Sequence, residues 1–224
     1  MAAPQTFLDI CKRVRQECGV SGDGPSNVAG QVGMYAKIVD WVQSAHEHVQ
    51  LQSTRWRFDW GTVSVSLTSG DSTYDPYADW GGISVRSWAA ESLYVYKESI
   101  KARTWLGIMP WSDFRHVSQA GATGRPAYLS IAPDRTVNFY PIPTDGLTFV
   151  GEYYKRPMVL VSNTDEPRIP LEHRMTIVWQ AVMLWAASEE NPVLYQAASK
   201  KYEAAMENMM DVELVGPDLA GPLA

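Results

Sequence analysis

The chain is poor in cysteine, with 2 in 224 residues. That number excludes a disulfide framework and a zinc site made of cysteines alone. No stretch approaches the ~20 consecutive apolar residues that span a bilayer. Residues 1–6 have neither a basic flank nor an apolar run, so the sequence predicts no secretion signal.

Basic residues are also in deficit, since 19 Lys and Arg face 25 Asp and Glu, for a net charge of −6. This balance argues against a general duplex-DNA binder, which needs a dense basic surface.

Aromatic residues are abundant, with 9 Trp and 11 Tyr. Such large amphipathic rings suit protein interfaces as well as cores.

Two helices are predicted at the N-terminal end. Thr6 and Asp9 have the spacing of a capping box, and Gly19 suits the left-handed position after the helix. A second helix is predicted from 29–32 to Gln52. The apolar stripes of the two helices comprise Phe7, Ile10, Cys11, Val14 and Cys18, then Tyr35, Ile38, Val42, Ala45 and Val49.

Two further helices are predicted near the C-terminal end. Pro170 can open a helix that runs to Glu190. Asn191 and Pro192 then suit the N-cap and first position of another helix, and the short connection predicts an antiparallel hairpin. Residues 216–224 contain two Gly-Pro breaks and have no periodicity.

The middle of the chain has the alternation of β-strands. Apolar residues alternate from Trp56 to Trp60 and then with opposite parity from Val63, and this slip predicts a β-bulge at Gly61-Thr62. Short connections between the later strands predict an antiparallel meander. The predicted strands after Leu67 are 83–88, 93–97, 128–131, 136–140 and 147–154.

These patterns predict an α+β fold. Its core is a four-helix bundle formed by residues 1–54 and 164–212. Residues 55–163 form an inserted antiparallel β-rich domain, and residues 213–224 form an extended tail.

No motif indicates catalysis, a metal or a cofactor. The phosphate-binding and nucleophile-elbow glycine patterns are absent from the sequence. The two histidines of His46-Glu47-His48 diverge by about 200° on a helix, so they are predicted to be polar surface residues. Asp71, Asp75 and Asp79 lack the alternate-residue spacing of a calcium loop. Asp113 and His116 could pair locally, although a polar turn is the favoured interpretation, and His173 is expected at a surface or interface.

Several motifs, in order, resemble phage head-to-tail adaptor proteins of the type associated with short-tailed phages. The longest are Gly19-Val20-Ser21-Gly22-x-Gly24-Pro25-Ser26, Val28-Ala29-Gly30-Gln31 and Ile38-Val39-Asp40-Trp41-Val42. Shorter similarities are Asp113-Phe114-Arg115, Gly124-Arg125-Pro126-Ala127-Tyr128, Pro141-x-Pro143 before Tyr153-Tyr154 and Pro157, and Ile169-Pro170-x-x-His173 before Ala181. Residues 68–112 have no counterpart in the resemblance.

The resemblance implies a structural virion protein. Proteins of this kind form a ring of twelve copies below the portal, extend the DNA channel and dock the tail. The implied partners are the portal protein, tail, nozzle or tail-fibre proteins, and double-stranded DNA passing through without sequence-specific binding. Assembly would take place in the host cytoplasm, with no membrane contact. We expect the bundle to dock the portal and the β insertion to face tail components.

Aromatic and flanking residues are the interface candidates. Trp41 is either a second contact within the fold or an exposed anchor. The other candidates are Trp56, Trp60, Trp80, Arg115 and His173, together with Leu219 and Leu223 of a tail expected to become ordered on the portal.

Two alternatives stay open: another neck or tail component, such as a tail-completion or tail-tube protein, and a carbohydrate-acting enzyme with an aromatic-rich β domain.

Overall fold

A computed structural model describes residues 4–214. The chain divides into two compact units, with breaks after Asp59 and after Arg156. We call Trp60–Arg156 the β unit and the two segments on either side of it the helical unit. Each unit has its own hydrophobic core. The predicted α+β class is therefore confirmed.

The helices have capping residues that match the sequence signals. Thr6 and Asp9 exchange the two capping-box hydrogen bonds at 3.2 Å each. Gly19 adopts φ +68°, and the amides of Gly19 and Val20 bond the carbonyls of Gln16 and Arg15, which closes the first helix. The helices are α1 (Phe7–Glu17), α2 (Gly33–Leu51), α3 (Trp111–Ser118), α4 (Met175–Ser188) and α5 (Pro192–Glu213).

Helix α4 is central to the helical unit and packs against α1, α2 and α5. It contains no charged residue, and a helix that is apolar on all sides must be buried. The sequence predicted a regular four-helix bundle, which this packing does not establish. Asn191 Oδ1 accepts from the Leu194 amide at 3.0 Å, and Pro192 begins α5, as predicted.

The β unit holds two larger sheets. One is five-stranded, with the order β1-β11-β4-β5 and β3 also paired to β11; the other has the order β2-β9-β8-β6. A two-stranded parallel pair joins β7 and β10. The strands are β1 (Trp60–Leu67), β2 (Thr73–Tyr74), β3 (Val85–Trp88), β4 (Tyr94–Lys97), β5 (Ala102–Trp105), β6 (Gly107–Ile108), β7 (Thr123–Gly124), β8 (Tyr128–Ile131), β9 (Val137–Tyr140), β10 (Ile142–Pro143) and β11 (Leu147–Lys155).

The predicted bulge at Gly61-Thr62 is wrong. Strand β1 pairs with β11 from Trp60 to Leu67 without a shift of register. The parity changes because residues before Trp60 belong to the helical unit, where Arg57–Asp59 is a turn of 3-10 helix. A register shift is found instead in the β11–β3 pairing, between Tyr154 and Lys155.

The predicted meander is correct for its first hairpin only. Strands β8 and β9 pair antiparallel, but β11 belongs to the other sheet, where it pairs with β1, β3 and β4. Two short pairs, β6–β8 and β7–β10, are parallel. A long-range strand order of this kind depends on segments distant in sequence, which local spacing does not specify.

Candidate interaction surfaces

The structure assembles no reactive constellation from the polar residues that the sequence singled out. Within residues 4–214, no three His, Cys, Asp or Glu side chains are grouped so as to hold a metal ion. Cys11 and Cys18 are buried, and burial raises the pKa of each thiol to about 12. Both thiols are therefore protonated at neutral pH. Asp113 and His116 are exposed on α3 rather than in a turn.

His46 is buried, which corrects the prediction of a polar surface residue. Only 1% of it is exposed, whereas Glu47 and His48 are exposed on the other side of α2. Gln50, one turn later, places its amide nitrogen 3.3 Å from His46 Nδ1. The Gln50 side chain also accepts from the Met158 amide at 2.8 Å and donates to the Met158 carbonyl at 3.1 Å. This polar pair therefore fixes the chain leading into α4 against α2.

Burial is the main cause that lowers the pKa of His46 to about 4, and the positive charges of Arg168 and Arg174 contribute to the same shift. The unfolded chain binds this proton near pH 6.5 and the folded chain only near pH 4. Stability from the neutral ring is thus complete above pH 6.5 and is lost as the pH falls toward 4.

We expect His46 to reduce the free energy of unfolding by about 3 kcal/mol between pH 6.5 and pH 4. Urea unfolding measured across this range should show a shallower pH dependence in His46→Gln than in the wild type. His48→Gln, which removes an exposed histidine from the same helix, is the control and should keep the wild-type dependence. An unchanged slope in His46→Gln would contradict the assignment.

Arg174 joins two backbone segments of the helical unit, the one before α1 and the one before α4. Its guanidinium donates to the carbonyls of Ile169 and Pro167, each at 3.0 Å, and to the carbonyl of Gln5. Glu166 lies 3.6 Å away. The neighbouring His173 is also buried, because Leu171–His173 forms a 3-10 turn against the core. The expected surface position of His173 is thus wrong, and its role at an interface stays a prediction.

Two of the candidate tryptophans are core residues within the chain. Trp56 is fully buried in the helical unit and donates Nε1–H to the Gln50 carbonyl at 3.1 Å. Trp80 is buried in the β unit, where its ring lies 5.4 Å from that of Phe149 and 5.7 Å from that of Tyr74. Each ring fills the core of its own unit.

The other candidates lie at or near the surface. Trp60 is 43% exposed and donates to Glu152 Oε2 at 3.1 Å. Arg115 is exposed on α3, and Trp41 is half-buried against the helical core. Leu219 and Leu223 lie outside the described residues. These positions do not by themselves assign an interface.

Sequence patterns missed a group of exposed apolar side chains in the β unit. Trp105 at the end of β5 is 59% exposed, and its ring packs edge-on against Tyr94 at 5.2 Å. Ile108 and Tyr128 are exposed on the paired strands β6 and β8. The exposure of Trp105 agrees with its alternation with half-buried Thr104. From the sequence alone, residues 100–109 are compatible with either a strand or a short helix, so this alternation could not be assigned to a strand.

A model of the SU10 adaptor protein family matches residues 5–223. The chain belongs to the SU10 adaptor protein family. It is accordingly a phage adaptor, as the sequence resemblance predicted. A comparison with curated proteins found no match.

Charge divides unevenly between the two units of this adaptor. Of the 19 basic and 25 acidic side chains, nine of each lie in the β unit, so the whole net charge of −6 belongs to the helical unit. Within residues 4–214, no helix combines the length and the apolar character that a bilayer crossing requires.

Proposed function

We propose that this protein is a head-to-tail adaptor that forms a ring of twelve copies below the portal. The ring extends the DNA channel and docks the tail. The observation that carries this proposal is the family match over nearly the whole chain. The place of action is the neck of the virion, after assembly in the host cytoplasm.

The surfaces described above support assembly rather than catalysis. A cyclic ring needs two different complementary faces on each subunit. Trp60, Trp41 and Arg115 are proposed contributors, because each reaches the surface or lies close to it. Trp105, Ile108 and Tyr128 add exposed apolar area of the kind found at interface cores.

The acidic helical unit suits a channel through which DNA passes. Acidic side chains repel the DNA phosphates, so DNA does not bind the channel wall. A surface that binds duplex DNA needs a high density of Lys and Arg instead. We therefore propose that DNA moves through the lumen without sequence-specific contacts. The helical unit docks the portal, and the β unit meets the tail, nozzle or fibre proteins.

Native mass spectrometry with and without the portal protein tests the proposal. We expect twelve copies bound to the portal, and cryo-electron microscopy of the complex should show the helical unit at the portal side. A chain that stays monomeric beside the portal would contradict the proposal. A sixfold ring would indicate a tail-completion or tail-tube protein instead.

Variants separate assembly from folding in the same experiment. Trp60→Ala and Arg115→Ala alter exposed side chains of the proposed subunit faces, so we expect both variants to fold normally and to form fewer complete rings. Asp113→Asn also changes an exposed side chain of α3 and is the control for Arg115→Ala.

A further inference from the structure

The five-stranded sheet of the β unit ends in two strands whose outer edges carry no further strand. Within residues 4–214, β1 pairs only with β11, and β5 pairs only with β4. The other larger sheet ends in β2 and β6, which have two residues each, whereas β1 has eight. A strand edge of that length offers a row of N–H and C=O groups to another chain.

The hydrogen bonds of β11 show which backbone groups of β1 point to its outer edge. The Glu152 carbonyl accepts from the Ala89 amide at 3.0 Å, on the side of β11 away from β1. Bonded residues alternate in an antiparallel pair, so Thr62, which lies opposite Glu152, directs its amide and carbonyl outward. Ser64 and Ser66 follow at the same two-residue interval and share this orientation.

The same alternation identifies the outward backbone groups of β5. The Leu106 amide donates to the Leu93 carbonyl at 2.9 Å, so these two residues form a bonded pair at the end of the β4–β5 ladder. Residues at an odd separation from Leu106 point the other way. They are Arg103 and Trp105, and both are exposed.

Strand β1 lacks the features that protect a free edge. It contains no proline and no charged side chain, and it pairs with β11 over its whole length without a bulge. Its outward residues Thr62, Ser64 and Ser66 are small, which leaves the backbone accessible. Arg103 is the one charged residue of β5, and its Cζ lies 5.1 Å from the centre of the Tyr94 ring, over its own sheet. Both edges are therefore open to a further strand.

Strand direction favours β5 of a second copy as the strand that pairs with β1. Along the path β1-β11-β4-β5, each strand is antiparallel to the next. Because this path has an even number of strands, its two end strands run in opposite directions. When identical sheets stand side by side in one orientation, as in a ring, β5 of one copy meets β1 of the next in the antiparallel sense. The contact thus continues the pattern of the sheet itself.

The two faces of the sheet also match across such a contact. Side chains alternate between faces, so the residues with outward backbone groups in both strands place their side chains on the solvent face. On the core face, Val65 of β1 and Thr104 of β5 are only half-buried, although Thr104 lies opposite buried Val95. A strand added at either edge covers these residues, so the contact extends the core of one β unit into the next.

We propose that β5 of one copy pairs antiparallel with β1 of the next copy, which joins the five-stranded sheets into one sheet around the ring. This inference rests on the proposed function, since β1 and β5 supply the two different faces that a ring needs. Pairing of β1 with a second β1 uses the same edge twice and closes a dimer instead. In the β5–β1 contact, exposed Trp105 packs over the small side chains of the β1 edge.

Cysteine cross-linking of the full-length protein on its portal tests the contact and its register. Arg103→Cys is combined in turn with Thr62→Cys, Ser64→Cys and Ser66→Cys, the three outward positions that residue 103 can face. Opposite residues of a bonded antiparallel pair have Cα atoms ~5.5 Å apart, which is within disulfide reach. A shift of two residues along β1 moves the cysteines out of reach.

The controls use the same reactive position. Arg103→Cys with Ser112→Cys places the second cysteine on α3, where Ser112 is exposed as well. Each β1 cysteine variant is also oxidised alone. The natural cysteines, Cys11 and Cys18, are buried and do not compete.

We expect one of the three double variants to give covalent oligomers longer than dimers, up to the full ring, on a non-reducing gel. The other two double variants and the Ser112 control should cross-link at least about tenfold less. Each single variant should run as a monomer, because a contact between two different faces does not bring the same residue of two copies together.

A proline at the β1 position that cross-links tests the backbone contact itself. Proline removes the outward amide but is tolerated where that amide faces solvent, so the variant should unfold in urea as wild type does. The protein concentration for half-maximal ring assembly should rise about tenfold, as the loss of one hydrogen bond predicts. Alanine at the same position keeps the amide and is the matched control, which should stay within about threefold of wild type.

Three results would overturn this inference alone. A ring that forms on the portal without cross-links in any of the three double variants would exclude the β5–β1 contact. A covalent dimer from a single β1 cysteine variant would show that β1 pairs with itself. A folded proline variant that assembles as wild type would show that no backbone ladder joins the copies. A wild-type chain that forms no ring on the portal would overturn the proposed function, and this inference with it.

Discussion

Replacing Arg174 by glutamine is expected to lower the free energy of unfolding by about 3–5 kcal/mol. The substitution removes a buried guanidinium that donates to the carbonyls of Gln5, Pro167 and Ile169. The carbonyls of Ile169 and Pro167, whose bonds to Arg174 are buried, would then lack a partner as strong as the charged donor that they lose. The segment before α4 would also lose its connection to the segment before α1.

Urea unfolding followed by circular dichroism measures this effect. Arg174→Lys should be nearly as damaging, because a single ammonium group cannot reach three carbonyls with the geometry of the guanidinium fork. Arg55→Gln makes the same change as the glutamine variant at an exposed position and should alter stability by less than about 0.5 kcal/mol. A lysine variant as stable as wild type would refute the role assigned to the fork.

The second large effect is expected for Trp56→Ala, at about 3–5 kcal/mol of unfolding free energy. The ring is fully buried, stacks at 5.4 Å on Phe58 and donates to the Gln50 carbonyl. Its removal leaves a cavity in the helical core and a carbonyl without its indole partner.

Trp60→Ala is the matched control, because Trp60 lies four residues later and its ring is 43% exposed. It should lose less than about 1 kcal/mol by the same urea measurement. The two variants differ in assembly as well, because Trp60→Ala is expected to fold and yet to form fewer complete rings. Equal destabilisation by the two substitutions would contradict the different positions of these rings.

Trp56 and Trp60 show why sequence patterns could not separate core residues from surface residues here. Both stand in one alternating run of aromatics, which favoured a single strand. The chain instead passes from one unit to the other between Asp59 and Trp60. Alternation reports which side chains share a face, but it does not report which neighbour covers that face.

His46 and His173 show the same restriction for polar residues. Composition and helical spacing favour exposure of a histidine, because burial costs free energy unless a partner is present. Gln50 approaches His46 from the next turn of α2, but the Met158 backbone that pairs with Gln50 lies 108 residues further along the chain. The groove of the β unit that Arg86, Arg135 and Arg156 line likewise forms only when β3, the β8–β9 turn and the end of β11 meet.

Local signals were sufficient for both ends of α1 and the start of α5, and the order of the motifs was sufficient for the family. The local signals were not sufficient for α3 or for the start of α4, which follows a 3-10 turn at Leu171–His173. Thr6, Gly19, Asn191 and Pro192 act on backbone groups within a few residues, so their effects are visible in the sequence itself. Only the tertiary structure decided four other features. They are the burial of Trp56, the hydrogen bonds of the Arg174 guanidinium, the pairing of β11 in a different sheet from β8 and β9, and the groove lined by Arg86, Arg135 and Arg156. Each depends on contacts between segments that are distant in sequence. The free energy of such a contact depends on both segments, so neither segment alone predicts it.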